Sequence, residues 1–366
     1  MIKRAISCWR GNYEDDHALL GDMAKSQVPW LNGQGEENDI IISSRVRLAR
    51  NLKDFYFERI ENKENLLSIL KTVTDAIRQV SKLEGFVSLK MNTLSAIERS
   101  MLMERRHVSP NFIRNDRPSG AVIGPEEEVS LMINEEDHLR IQIMQPALGL
   151  LRAWRRAQSV DNELSQHLDY SYSDQFGYLT ACPTNVGTGL RASIFIHLPA
   201  LFAADKIQTA LTDIGGEDVA IRGFYGEGSG MLGDIYQISN QLTLGRVEEK
   251  IINRMQLVAN QICDLERRER RALFKKKRLK IEDRVNRAIA ILKAARLLES
   301  RELLQLLSDI RLGLSLGIIE KIDYPSLNNL IVTTQPAHLQ IINGQEMEAE
   351  QRDEARAKYV KEELSL

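Results

Sequence analysis

From residue 247 the chain reads VEEKIINRMQLVANQICDLERRERRALFKKKRLKIEDRVNRAIAILKAARLLESRELLQLLSDIRLGL, an almost unbroken helical periodicity without a proline. Such a segment cannot be laid into a sheet, where apolar residues recur at every second position. It divides the chain: strands have to come from upstream, and the downstream part is helical. The charge run from Glu266 to Lys280 mixes both signs at helical spacing, as on a solvated face, and is not read as a nucleic-acid surface.

Upstream, the β-branched runs Val122–Ile123, Val129–Ile133, Ser193–His197 and Val219–Phe224 are strand-like. Helical spacing marks 62–83, 96–106, 144–166 and 200–214, and residues 40–52 begin as a strand before turning basic. Strands separated by helices, with few tight hairpins, indicate an α+β domain with its sheet covered on one face. Residues 1–39 are polar and Gly-bearing and read as an arm. The expected division is an arm over 1–39, an α+β domain over 40–250 and an all-α domain over 251–366.

Composition excludes several classes. The 49 basic and 51 acidic residues nearly cancel, so the overall field implies neither nucleic acid nor membrane as partner. No apolar stretch approaches the roughly 18 residues that span a bilayer, and the N-terminus meets charge too early for a signal peptide. Cys8, Cys182 and Cys263 are too few and too scattered for a disulfide framework or a zinc cage. A soluble, reduced, cytoplasmic protein is expected.

Two glycine patterns, GSGMLG (228–233) and GTGLRA (187–192), have dinucleotide-fingerprint spacing. That mechanism requires a helix immediately afterwards, whereas SIFIHL and DIYQISN are not helical, so no Rossmann site is expected. The arginines are more informative. SSRVRLAR places Arg45 and Arg47 on one face of a strand, and Arg140, Arg191 and Arg222 lie at other strand ends or loops. Any one of them could serve a surface ion pair; five together make a polyphosphate clamp, because guanidinium binds phosphate bidentately and keeps its charge. NEEDH (134–138) aligns Glu135, Glu136 and Asp137, either as a surface turn or as a carboxylate cluster for Mg²⁺ or a guanidinium, and GEGSG adds Glu227. Cys182, opening the loop CPTNVGTGLRAS, is inert if buried and a thiolate if cations surround it. The combination suggests phosphoryl transfer from a nucleotide to a cationic acceptor.

At these residues the sequence resembles the phosphagen (guanidino) kinases. CPTNVGT looks like their signature, and SSRVRLAR, NEEDHLR, GLRAS and RGFYGEGS…YQISNQ follow in the family's order between about residues 40 and 250. The resemblance implies a phosphagen-kinase-like α+β domain, an antiparallel sheet flanked by helices, ahead of the all-α domain. It implies ATP as phosphate donor, with Mg²⁺ carried by the nucleotide rather than by a protein metal site. The ATP-binding positions it implies are Ser43, Ser44, Arg45, Val46, Arg47, Arg106, Arg140, Arg191, Ala192, Ser193, Ile194, Phe195, Arg222, Gly223, Phe224, Tyr225, Gly226 and Glu227. Glu136 and Glu227, with Glu135 nearby, would hold the target guanidinium, and Cys182 would lie against it.

Two features resemble the bacterial protein arginine kinase branch. The arginine motif begins at Ser43, leaving no room for the helical N-terminal domain of the metabolite kinases. RDEARA (352–357) is similar to that branch's phosphoarginine-binding motif, which implies roles for Arg352, Asp353, Arg356 and Ala357. Arg352 and Arg356, four apart on a helix, share a face. Implied partners are proteins with exposed arginines, a second copy of the chain, an activator protein (McsA-like) and a Clp-type ATPase; a heat-shock repressor is an implied target. Gly230 stands where the family has a second glutamate, and Arg106, with His107 beside it, replaces a nucleotide-contacting histidine. Three readings stand: a protein arginine kinase, a kinase of free arginine or a relative, and a phosphoarginine-binding module with a weakened active site.

Overall fold

The computed structural model describes residues 13–57, 62–114, 117–223 and 232–365. In chain order the elements are α1 (Tyr13–Lys25), β1 (Ile41–Arg50), α2 (Lys63–Gln79), β2 (Val87–Lys90), α3 (Ala96–Glu104), β3 (Gly120–Ile123), β4 (Val129–Ile133), β5 (Leu139–Pro146), α4 (Leu150–Leu164), β6 (Tyr172–Ser173), β7 (Gly177–Tyr178), β8 (Leu190–His197), α5 (Pro199–Ala203), α6 (Ile207–Gly215), β9 (Val219–Arg222) and β10 (Ile235–Asn240). The helices α7 (Glu248–Ala294), α8 (Ser300–Ser315), α9 (Tyr324–Thr333), α10 (Pro336–Asn343) and α11 (Ala349–Glu363) complete the fold.

Eight strands form one antiparallel sheet in the order β2-β3-β4-β5-β1-β8-β10-β9. Strand alternation gives it two chemically different faces. Val46, Leu48, Ile141, Ile143, Ala192, Ile194 and Ile238 point into a core shared with α2, α4 and the first half of α7. The other face carries Arg45, Arg47, Arg140, Arg191 and Arg222. Contrary to the expected single cover, this second face is also covered at both sides. Leu89, Ala121 and Met132 pack with Leu20 of α1, Met101 of α3 and Ala337 of α10. Ile42, Met144 and Phe195 pack with Trp30 and with residues of α8 and α9. Among the described residues, a polar strip carrying the arginines lies between these two covers.

Three expectations are corrected. The arm contains α1, whose Leu20 and Ala24 are buried. The helix expected over 144–166 starts at Leu150, because β5 continues through Pro146 and Ala147 turns the chain at a φ of 49°. The helix over 200–214 is broken into α5 and α6, with Asp205 at a φ of 56° between them.

α7 starts in the core of the sheet with Ile252, Met255, Ala259 and Cys263. It ends in the helical core with Ile281, Val285, Ala288 and Leu292. Between the two stripes Lys277 leaves helical geometry (φ −134°, ψ 34°). The division expected at residue 250 falls inside α7, which runs from one core into the other. As expected, strands β8 and β10 follow the two glycine patterns, which excludes a helix-borne pyrophosphate site there.

Candidate active site

Strand register assembles the arginine face. Arg47 lies directly opposite Arg191 across the β1–β8 ladder, and Arg45 opposite Ser193, whose Oγ accepts from Arg45 Nε at 3.4 Å. Arg140 on β5 faces Ala49 of β1, and Arg222 on β9 faces Gln237 of β10. Like charges directly opposed in a ladder are destabilising. Burial, then Arg106, Arg191, Arg140 and Arg222, push the Arg45 guanidinium down to about 9. Burial, then Arg45, Arg140 and Arg191, push Arg47 well down also. Arginine gives up its proton only at extreme cost, so this field calls for an anion of several charges.

Arg106 completes the cluster from the end of α3, a helix started by a reciprocal Ser95–Glu98 capping box. Its φ of 67° is unusual for a side-chain-bearing residue, and its neighbours hold it there. Glu104 accepts from the Ala337 and His338 backbone at the start of α10, at 2.9 and 3.0 Å. Arg105 Nη2 and His107 Nε2 donate to Glu127 at 2.7 and 2.8 Å. Gln142 donates to the Arg106 carbonyl at 2.6 Å. Burial alone would raise Glu127, but the Arg105 and His107 hydrogen bonds take its carboxyl down to about 2. The guanidinium carbons of Arg106 and Arg45 lie 5.1 and 5.3 Å from the Phe195 ring centroid. Beside them an apolar cleft is lined by Trp30, Leu31, Ile42, Ser43, Ile331 and Val332.

The carboxylates lie at the β4–β5 turn, where Asn134 takes a φ of 61° and donates to the Leu66 and Pro118 carbonyls, both at 2.8 Å. They do not simply repel one another, because Arg140 gathers them, with Glu135 at 2.7 Å, Glu136 at 3.1 Å and Asp137 at 4.0 Å. Burial would raise Glu135, yet Arg140, Ser109, the Glu136 N–H and Arg47 outweigh it and lower the carboxyl. The same three carboxylates overcome burial and raise Arg140. Glu135 is buried, whereas the Glu136 side chain, though paired with Arg140, is 45% exposed.

Sequence reasoning named Asp137 as one of the carboxylates but missed Asn51, which together with it connects this turn to the cysteine loop. Asp137 Oδ1 accepts from Asn51 Nδ2 at 2.8 Å and from the Ala181 N–H at 2.7 Å. Asn51 also donates to the Leu179 carbonyl at 3.1 Å and accepts from the His138 N–H at 2.9 Å. The position of Asn51, immediately after SSRVRLAR, was the available signal. Cys182 is half-buried, with Sγ 3.1 Å from Thr184 Oγ1. Gly189, at a φ of 64°, has no room for a Cβ, which would lie 2.6 Å from the Ala49 carbonyl oxygen.

Not every implied position reaches this face. Val46, Ala192 and Ile194 are packed in the opposite core, and Ser44 Oγ is used by the Ala147 carbonyl and the Gly149 N–H. Their side chains cannot contact a nucleotide on the arginine face. Ser43, Ser193 and Phe195 do lie on that face, and Gly223 extends β9. Phe224, Tyr225, Gly226, Glu227 and Gly230 lie outside the described residues, as does Cys8. Cys263 is buried and its thiol is pushed upward by that burial, so it is not a nucleophile.

Arg356 also departs from expectation. It is 1% exposed and donates to the Thr334 carbonyl at 2.9 Å, the Leu298 carbonyl at 2.6 Å and Asp353 at 2.5 Å. It ties α11 to the α7–α8 connection and to the end of α9 rather than offering an open cation. Arg352 and Asp353 are half-buried, the first donating to the Met347 carbonyl, and Ala357 is buried.

A converging arginine face beside a clamped carboxylate turn defines a phosphotransferase for a polyphosphate donor and a cationic acceptor. The family model of the ATP:guanido phosphotransferase C-terminal catalytic domain matches residues 68–269, and that of the protein-arginine kinase McsB C-terminal domain matches 278–366. The protein-arginine kinase of Halothermothrix orenii is 42% identical over 342 residues, 93% of this chain and 98% of that one. That of Moorella thermoacetica is 45% identical over 342 residues, covering 92% and 97%. Among solved structures, the substrate-free duplicated taurocyamine kinase of Schistosoma mansoni has a TM-score of 0.56 at 25% identity, covering 68% of this chain and 38% of that one. A lombricine kinase has a TM-score of 0.57 at 22% identity, covering 67% and 70%. The chain belongs to the ATP:guanido phosphotransferase family, in its protein-arginine kinase branch. Among the described residues no helix is long and apolar enough to cross a membrane.

Proposed function

We propose that the chain transfers the γ-phosphate of ATP to arginine side chains of proteins, with Arg45, Arg47, Arg106, Arg191 and Arg222 on the triphosphate and Glu136 on the acceptor. The observation that carries this reading is Arg140, which joins the arginine face to the carboxylate turn. Fixed arginines stabilise the transferring phosphoryl group without reorganisation. A free guanidinium has a pKa above about 12, so its nitrogen lacks a lone pair to attack. Glu136 addresses this by accepting a proton while aligning the nitrogen with the γ-phosphorus. Glu135, ionised and buried, keeps Arg140 in place, and Glu227 is the second acceptor carboxylate by family resemblance. Cys182 steadies the acceptor's charge from its loop without forming a covalent bond.

Mg²⁺ neutralises phosphate charge and enters with the nucleotide; among the described residues no cluster of three or more His, Cys, Asp or Glu is arranged to hold an ion. A homodimer, an activator protein, a Clp-type ATPase and a heat-shock repressor as target rest on the family resemblance alone. Phosphoarginine binding at RDEARA falls to Arg352, while Asp353 is paired with Arg356. The kinase of free arginine is disfavoured by the near-full-length likeness to protein-arginine kinases. The test is Glu136→Gln with γ-labelled ATP and an arginine-bearing protein. Label transfer should fall by about 10²–10⁴-fold with ATP affinity retained, and a fully active variant refutes the assignment. Glu227→Ala tests the second carboxylate in the same assay.

A further inference from the structure

The short hairpin β6–β7 stands on the cysteine loop and has no part in the chemistry above. Its pairs are Tyr172 with Tyr178 and Ser173 with Gly177. Tyr178 exchanges both backbone hydrogen bonds with Gly187, at 2.8 and 3.1 Å. A Cβ at Gly177 would lie 2.5 Å from the Gly187 carbonyl oxygen, so hairpin and loop move as one piece. Below it, the Arg50 guanidinium sits 3.5 Å from the Tyr178 ring centroid and donates to Asp161 at 2.7 Å and to the Thr188 carbonyl at 3.0 Å. The Tyr172 ring packs edge-on against Tyr178 at 5.3 Å. A rigid, buried base thus supports an outward surface on which Tyr172 is 59% and Phe176 46% exposed, with Asp169 and Asp174 exposed in the same stretch of chain.

We propose that this surface docks the polypeptide flanking the target arginine, Tyr172 and Phe176 taking its apolar and cationic side chains and Asp169 and Asp174 drawing basic ones. The inference rests on the reading of Cys182 and Glu136 as the acceptor side. Tyr178 is four residues from Cys182, at most ~14 Å of extended chain. An acceptor whose guanidinium lies at Cys182 therefore has its neighbouring residues within reach of the hairpin. Aromatic faces flanked by carboxylates attract Arg and Lys side chains and tolerate apolar ones. That is the chemistry of a basic, extended segment, and a free amino acid would not extend to it.

The test is the double variant Tyr172→Ser, Phe176→Ser in the full chain, where both side chains are exposed. It is assayed with a long unstructured basic peptide containing one arginine and with N-acetylarginine amide. The long peptide should show a KM raised about tenfold at unchanged kcat, while the small acceptor keeps its kcat/KM. The Kd of the same long peptide with its arginine replaced by lysine should rise in parallel, a readout that needs no turnover. An unchanged Kd, or equal losses with both acceptors, overturns the proposal; the second result makes the hairpin a mere support of the cysteine loop. Glu136→Gln separates the two levels. If that variant still phosphorylates, the acceptor reading itself has failed; if it is inactive while the hairpin variant binds normally, only the docking surface is wrong.

Discussion

Arg47 on β1 and Arg191 on β8 are direct cross-strand partners, two guanidinium groups placed where opposite charges would be the stable arrangement. A ladder position of this kind costs the empty protein stability and is repaired by a bound polyphosphate. Arg47→Gln should leave the ligand-free protein as stable as before, or more stable by about 0.5 kcal/mol. ATP affinity should drop about ten- to hundredfold, the worth of a charge-assisted hydrogen bond at ~1.5–3 kcal/mol. Thermal denaturation with and without ATP checks both halves. A variant that is destabilised without nucleotide yet binds ATP normally would show Arg47 to be structural.

Glu127 gives a pH prediction with a definite sign. Its carboxyl is held at about 2 against an ordinary 4.5. A depressed carboxylate contributes stability that is fully present above 4.5 and lost as pH falls from there toward 2. The shift corresponds to about 3 kcal/mol as an order of magnitude. Glu127→Gln should be destabilised at neutral pH and should flatten the stability profile in that acid interval. It should also weaken ATP binding, because Arg105 and His107 bracket Arg106. Denaturant midpoints across the interval decide; parallel wild-type and variant profiles would refute the assignment.

Asp137 should act on acceptor binding without touching the acceptor. Asp137→Ala leaves the Ala181 N–H and the Asn51 amide without their acceptor, at a cost of about 1–3 kcal/mol. The cysteine loop is then loosened, so the acceptor KM should rise while ATP affinity holds. Asp137→Asn, which retains an acceptor oxygen, should recover part of the loss. If the asparagine variant is as impaired as the alanine one, charge rather than positioning is the role of Asp137.

The two arginines of RDEARA should separate cleanly. Arg356→Ala removes a buried cation with three acceptors and should destabilise the protein by about 3–5 kcal/mol. Arg352→Ala should cost under about 1 kcal/mol yet weaken phosphoarginine binding. Chemical denaturation and direct phosphoarginine titration distinguish them, and an Arg356→Ala protein of full stability would contradict the tie described here.

Some of this was legible in the sequence for a local physical reason. Period-2 alternation alone puts Arg45 and Arg47 on one face of β1 and sends Arg50, of opposite parity, to the other, where it meets Asp161. The break in periodicity after residue 247 announces the helical part, and the β-branched residues after each glycine pattern exclude a nucleotide-binding helix. Other features depend on elements far apart in the chain. The strand β5 was hidden because Leu139–Pro146 lies next to a strong helix signal, and its pairing with β1 is what makes it a strand. The burial of Arg356 needs the carbonyls of Leu298 and Thr334, and the change of partner along α7 needs two cores already in place. Composition and spacing determined which residues could make a phosphate clamp and a carboxylate cluster. Only the tertiary structure decided that Arg47 opposes Arg191, that Arg140 faces the carboxylates and that Glu135 is buried while Glu136 is open, because register and burial are set by non-local packing that no short window of sequence contains.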